Sequence, residues 1–217
     1  MDIESLRVKR GFDKLSGVYD ILAQMVFGKS IQNAQSFFLS TVKEGSRILI
    51  IGGGTGKLLE NLINNNPSAS IDYVELSEGM IDKAKLRVGK LNVPFNINFI
   101  QNSYEVFPEK QKYDLIITPF FFDMFGSEEA CTIITKLKSN LVEKGNWIYT
   151  DFRASGIWWQ TMLLKGMYLL FRWICRIEAC ELPHVKGCFH DQGFINLQSK
   201  PYYQGMIESV QYQLEER

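Results

Sequence analysis

Short unbroken apolar runs alternate with helically spaced apolar residues over the middle of the chain. "ILII" at residues 48–51 has the form of a strand buried on both faces of a parallel sheet. After it, Leu58, Leu59, Leu62 and Ile63 recur at helical spacing, with polar Lys57, Glu60 and Asn61 between them. "SIDYVEL" predicts a second strand ending at Glu75, and Ser77 is placed to cap the helix "EGMIDKAKLRVGK". "FNINFIQ" and "YDLIITPF" predict a third and a fourth strand. Ser127 is expected to cap the next helix, with Glu128 and Glu129 in its first turn and Lys136 and Lys138 in its last. "EKG" reads as a turn into the strand "NWIYTDF". The end of the chain, "GFINLQSKPYYQGMIESVQYQL", reads as two strands about a turn at Gly205, an antiparallel edge. Residues 12–42 read as helical. Such alternation defines an α/β fold, a mostly parallel sheet with helices on both faces.

The 217 residues suit a single domain, with a helical segment over residues 1–44, a core over 45–152 and a substrate-side region over 153–217. Lys plus Arg and Asp plus Glu are equal at 24 each, so no global field favours nucleic acid. Cys131, Cys175, Cys180 and Cys188 form no CxxC pair and only two histidines exist, which argues against a zinc site and for reduced thiols in a cytoplasmic protein. "MDIESLRVKRGFDKLSG" lacks the apolar core of a signal peptide.

Between the first strand and its helix stand Gly52, Gly53, Gly54, Thr55 and Gly56. A glycine turn opening a helix is a candidate cradle for a nucleotide or cofactor. A phosphate-binding P-loop does not fit: Leu58 stands where a magnesium-binding hydroxyl belongs, and Ile51 where the first glycine belongs. The dinucleotide pattern GxGxxG fails because Lys57 occupies its third glycine position. What remains is GxGxG at Gly52, Gly54 and Gly56, with Glu75 at the end of the neighbouring strand, able to accept from ribose hydroxyls.

"ILIIGGGTGKLLENL", "IDYVELSEGMIDKAK", "NFIQNSYEVFPEKQKYDLIIT" and "LKSNLVEKGNWIYTDF" resemble, in order and spacing, successive motifs of class I S-adenosylmethionine-dependent methyltransferases. The resemblance covers roughly residues 45–152 and implies a Rossmann-like seven-stranded sheet with an antiparallel last strand. It implies that the Gly52–Gly56 turn holds the methionine part of S-adenosylmethionine, that Glu75 binds the ribose hydroxyls, and that Leu76 and Met80 pack the adenine. Asn102 and Ser103 would stand near the adenine amino group, Asn102 replacing a commoner aspartate. Ile50 stands where the family often has an acidic residue that helps to hold the cofactor's amino end. Backbone groups near Thr118 and Phe120 could take over that contact. The "YD" pair at Tyr19 and Asp20 is similar to the opening helices of ubiquinone/menaquinone-type C-methyltransferases, which makes Tyr19 a contact over the cofactor.

Methyl transfer is an in-line displacement, so alignment and exclusion of water dominate, and a base is needed only for some acceptors. Asp123, Asp151, His184 and His190 are candidates for that base, and the residues alone select none of them. "PFFFDMF" and the apolar stretch over residues 158–174 point to a small apolar or aromatic acceptor. Lys165, Arg172 and Arg176 interrupt the run over residues 157–180, so it is no transmembrane span, although a peripheral lipid contact is compatible with it. No metal is implied, and monomer and homodimer are both open. A non-catalytic cofactor-binding protein and a protein methyltransferase stand as alternatives. "TPFF" replaces the tetrad of amino-methylating nucleic-acid enzymes.

Overall fold

The computed structural model describes residues 3–17, 19–91, 93–102, 111–175, 179 and 181–215. The seven strands are β1 (Arg47–Ile51), β2 (Ser70–Glu75), β3 (Asn96–Gln101), β4 (Tyr113–Pro119), β5 (Leu141–Phe152), β6 (Phe194–Tyr202) and β7 (Ile207–Leu214). They form one sheet in the order β3-β2-β1-β4-β5-β7-β6. β1 to β5 run parallel to one another, and β7 runs antiparallel between β5 and β6. The expected mostly parallel, seven-stranded architecture is present.

The helices are α1 (Ile3–Leu15), α2 (Tyr19–Phe27), α3 (Ser30–Ser36), α4 (Lys57–Asn65), α5 (Glu78–Val88), α6 (Ser127–Lys138), α7 (Trp158–Cys175) and α8 (Val185–Asp191). Side chains alternate across β1, as a strand demands. Leu49 and Ile51 join the core cluster of Ile134, Trp147 and Phe189, whereas Ile48 and Ile50 pack with Leu58, Leu62 and Ile71. The two halves of the sheet wind outward from β1 and β4, and the carboxyl ends of these strands open on one crevice, where open α/β sheets bind ligands.

Four expectations are corrected. The N-terminal helices begin at Ile3, ahead of residue 12. Ser77 caps α5, its Oγ accepting from Met80 N at 3.2 Å, but the corresponding expectation for Ser127 fails. Gly126 is the cap residue of α6, and Ser127 Oγ instead accepts from His184 N at 3.1 Å, bracing the start of α8. "EKG" does not end one element and begin another: β5 runs through it, with Lys144 at φ 56° in a bulge that shifts the register against β4. The cysteines also differ from the reduced set expected. Cys131 on α6 and Cys188 on α8 are joined in a disulfide, while Cys175 is free and buried and Cys180 lies outside the described residues. Fifty-seven residues separate the bonded pair, a spacing that carries no sequence signal.

Candidate cofactor and acceptor site

The glycine turn is fixed by its neighbours on β2. Tyr73 Oη donates to the Gly54 carbonyl at 2.8 Å, and Gly52 N donates to the Val74 carbonyl at 2.9 Å. Glu75 accepts from Gly54 N through Oε2 and from Ser77 N through Oε1, each at 3.0 Å. Burial raises the Glu75 carboxyl above the usual range, and these backbone N–H groups oppose the rise. The glycines divide by role. A Cβ on Gly53 would lie 2.3 Å from the Tyr73 ring, and one on Gly56 would lie 2.7 Å from the Ala84 Cβ, so both are needed for packing. Gly54, at φ +64°, has nothing within 4 Å of an added Cβ and looks into open space.

That space is a cavity of about 280 Å³. Gly52, Gly53, Gly54, Thr55, Glu75, Leu76, Met80, Asn102, Phe120 and Tyr19 all line it. Two other expected residues do not. Gly56 is occupied by α5, and Thr118 is fully buried with its Oγ1 accepting from Trp147 Nε1 at 2.9 Å. Ser103 lies outside the described residues. Ile50 is buried in the core behind the turn and takes no part in the lining. Phe120, at φ 51°, already donates its N–H to the Thr150 carbonyl at 2.6 Å, and Pro119 has no N–H. The loop after β4 therefore offers carbonyl acceptors, which suit an ammonium group.

Two acidic side chains that the sequence did not single out for such roles hold the N-terminal helices over this crevice. Asp20 on α2 accepts from the Thr55 hydroxyl at 2.7 Å and pairs with Arg87 on α5 at 3.0 Å. Asp13 on α1 accepts from the Ser77 hydroxyl at 2.6 Å and from Gly79 N at 3.2 Å, at the start of α5. The only sequence signal was the "YD" pair, and it gave no partner for Asp20.

A second cavity of about 170 Å³ adjoins the first, and Phe12, Tyr19, Ala23, Ile31, Phe120 and Met124 line both. Its remaining wall comes from α2, α7 and Phe152, and its one charged lining residue among those described is Asp123. Asp123 Oδ1 is buried with no hydrogen-bond partner. Beneath it, Asp151 accepts from Phe122 N at 2.9 Å, Asp123 N at 3.3 Å and Phe152 N at 2.8 Å. Burial pushes the Asp123 carboxyl up to about 7, and burial together with the Asp123 charge pushes Asp151 well above its ordinary value. His184 and His190 are not brought to either cavity. Among the described residues, no group of three His, Cys, Asp or Glu side chains is placed to hold a metal ion.

Residues 48–145 match a family model described as a methyltransferase domain. The chain is 29% identical over 150 residues to malonyl-[acyl-carrier protein] O-methyltransferase 2 of Ilyobacter polytropus, covering 69% of this chain and 55% of that protein. It thus spans about half the length of the curated relatives it matches. In fold it is similar to magnesium protoporphyrin IX methyltransferase of Synechocystis, solved with bound S-adenosylhomocysteine. That similarity has a TM-score of 0.66 at 17% identity and covers 86% of this chain and 83% of that one. A cyclopropane synthase of Mycobacterium tuberculosis gives a TM-score of 0.65 at 14% identity, covering 85% and 84%. Residues 48–145 are thus those of a methyltransferase domain, on the fold of S-adenosylmethionine-dependent methyltransferases. The cofactor of this class is S-adenosylmethionine, and the open face of Gly54 beside a buried carboxylate is a cradle that fits it.

Proposed function

We propose that this chain transfers a methyl group from S-adenosylmethionine to a small, neutral, apolar or aromatic acceptor. The observation that carries this reading is the second cavity, apolar around almost its whole wall and sharing a boundary with the glycine-turn cavity. The relatives named for malonyl-[acyl-carrier protein] suggest an anionic acceptor instead. Against that, the one cation lining either cavity among the described residues is Lys57, which pairs with Asp20 at 3.7 Å.

When bound, the cofactor supplies an electrophilic methyl group on a sulfonium sulfur. In this reading the Gly54 backbone passes close to its methionine chain, Glu75 accepts from the ribose hydroxyls, and Leu76 and Met80 pack the adenine beside Asn102. The carbonyls of Pro119 and Phe120 receive the amino end in place of the carboxylate that Ile50 lacks. Tyr19 stands between the two cavities and keeps water from the transfer, which needs alignment and dryness more than acid–base chemistry.

The reading includes a peripheral contact with lipid. On α7, residues lie 100° apart, which puts Trp158, Met162, Lys165, Leu169, Arg172 and Trp173 within about a 100° arc. Trp158 is 77% exposed and Trp173 82%. α7 contains no acidic residue, and two tryptophans with two cations suit an anionic bilayer surface. No described helix is long and apolar enough to cross a membrane. A screen with labelled S-adenosylmethionine against phenols, quinones, lipids, amines and peptides tests the acceptor class. Labelling confined to hydrophilic amines or peptides would contradict it.

A further inference from the structure

An ionisable side chain in a nearly apolar cavity needs a reason. Asp123 sits in the 3-10 turn Phe122–Met124 that follows β4, and Oδ1 has neither a protein partner nor exposure. A buried carboxylate oxygen without a donor is costly, and native structures usually supply one. Here three nearby donors are directed elsewhere. Phe122 N and Asp123 N go to Asp151, and the Tyr168 hydroxyl, facing from α7, donates to the Asp123 carbonyl at 3.1 Å. Asp123 lines the cavity together with Phe12, Phe27, Phe152, Met167 and Phe171, and its buried Oδ1 is left without a donor.

We propose that the Asp123 carboxylate is the polar anchor of the acceptor cavity and takes the proton of a hydroxyl-bearing, otherwise apolar acceptor, such as a phenol or an enol. The proposal rests on the acceptor reading above and assigns it one atom. The acceptor's O–H bond breaks as an O–H bond forms on the Asp123 carboxylate, and the electron pair left on the acceptor oxygen makes the new bond to the methyl carbon. The pair of the broken carbon–sulfur bond stays on the thioether that leaves, and Asp123 returns its proton to water when the product departs. The ionisable groups around it are Tyr19 from α2, Asp151 and Tyr149 from β5 and Tyr168 from α7. The tyrosines Tyr19 and Tyr149 are raised by burial and stay neutral, burial is what raises Asp123, and the Asp123 charge adds to burial in raising Asp151. A carboxyl with a value of about 7 is placed to exchange a proton at neutral pH.

The test begins with binding, which needs no turnover. The unmodified protein, saturated with S-adenosylhomocysteine, is titrated at pH 8 with 4-butylphenol and with butylbenzene, followed by ultraviolet difference spectra. The phenol is expected to bind at least about tenfold more tightly, as a charge-assisted hydrogen bond implies. Asp123→Asn should reduce that preference while leaving butylbenzene binding within about twofold. Should Asp123→Asn not fold, the preference of the unmodified protein should still weaken as pH falls from 8 to 6. Equal binding of the two probes at every pH would overturn the anchor while leaving the apolar acceptor reading intact. Binding of neither would overturn both. With a labelled phenol acceptor, Asp123→Asn should lower the transfer rate by about a hundredfold and remove the limb of the pH profile near 7. An unchanged rate and profile would overturn the proton-accepting role.

Discussion

The Asp20 carboxylate accepts a hydrogen bond from the Thr55 hydroxyl at 2.7 Å, tying the second helix of the N-terminal segment to the glycine turn 35 residues later. Its other oxygen pairs with Arg87, which also donates to the Thr55 carbonyl at 3.1 Å and pairs with Glu60 at 3.2 Å. One acidic side chain thus closes a small network over the mouth of the cofactor cavity. Asp20→Ala should leave the sheet folded and reduce affinity for S-adenosylhomocysteine by about tenfold, since hydrogen bonds to charged groups contribute roughly 1.5–3 kcal/mol. Calorimetric titration measures the loss, and limited proteolysis should show α2 more readily cleaved. Unchanged affinity would mean that α2 has no part in holding the cofactor.

The glycines of the turn should separate fold from binding. Gly53→Ala drives a methyl into the Tyr73 ring and should lower stability by about 1–3 kcal/mol, as overpacking does. Gly54→Ala meets no atom within 4 Å, so it should lose only the roughly 1–2 kcal/mol of a left-handed backbone while abolishing cofactor binding. Thermal unfolding and calorimetry on the two variants give the comparison. A Gly54→Ala protein that binds normally would place the cofactor away from this turn.

Asp123 links stability to pH. Its carboxyl is raised by burial from 3.8 to about 7, so the folded state holds a proton that the unfolded chain releases near pH 4. The native state is therefore favoured at low pH, and the carboxyl should make stability fall between about pH 4 and pH 7. Asp123→Asn should remove this decline. The variant should be more stable than the parent above pH 7, by at most about 4 kcal/mol for a shift of three units, with the gain gone near pH 4. Urea unfolding across this range checks the sign, and a variant that is less stable at pH 8 would contradict it.

The outward face of α7 should carry the protein to lipid. Co-sedimentation with phosphatidylcholine vesicles containing one-quarter phosphatidylglycerol should exceed that with phosphatidylcholine alone, and fall with salt. Replacing both Trp158 and Trp173 with Ser should abolish it without changing the fold, because both are exposed. A stable dimer in solution that buries these tryptophans, without vesicle binding, would make the face a seam between copies.

The sheet was legible because its strands are local patterns. Each buried parallel strand is an apolar run, and the antiparallel end shows two strands about Gly205, where the structure places the 3-10 turn Tyr203–Gly205 between β6 and β7. The crevice was legible because glycines and Glu75 fall at the ends of adjacent strands. Positions set by distant partners were not. Ser127 has the look of a cap, but its hydroxyl is taken by His184 N 57 residues later. Gly56 resembles a ligand-facing glycine until Ala84 is seen against it. Asp123 stood among four candidates and acquired its place only when α2, α7 and β5 closed a cavity around it.

The account turns on whether the Gly54 and Glu75 cradle holds the methyl donor. Titration calorimetry of S-adenosylhomocysteine into the unmodified protein and into Glu75→Gln, with NAD as control, tests it most directly. Glu75→Gln retains the side-chain size but presents an amide to the N–H groups of Gly54 and Ser77 and removes the charge that the ribose hydroxyls would meet. The account predicts saturable heat for S-adenosylhomocysteine, affinity at least about tenfold weaker in Glu75→Gln, and none for NAD. Heat with NAD alone, or S-adenosylhomocysteine binding unchanged by Glu75→Gln, would contradict it.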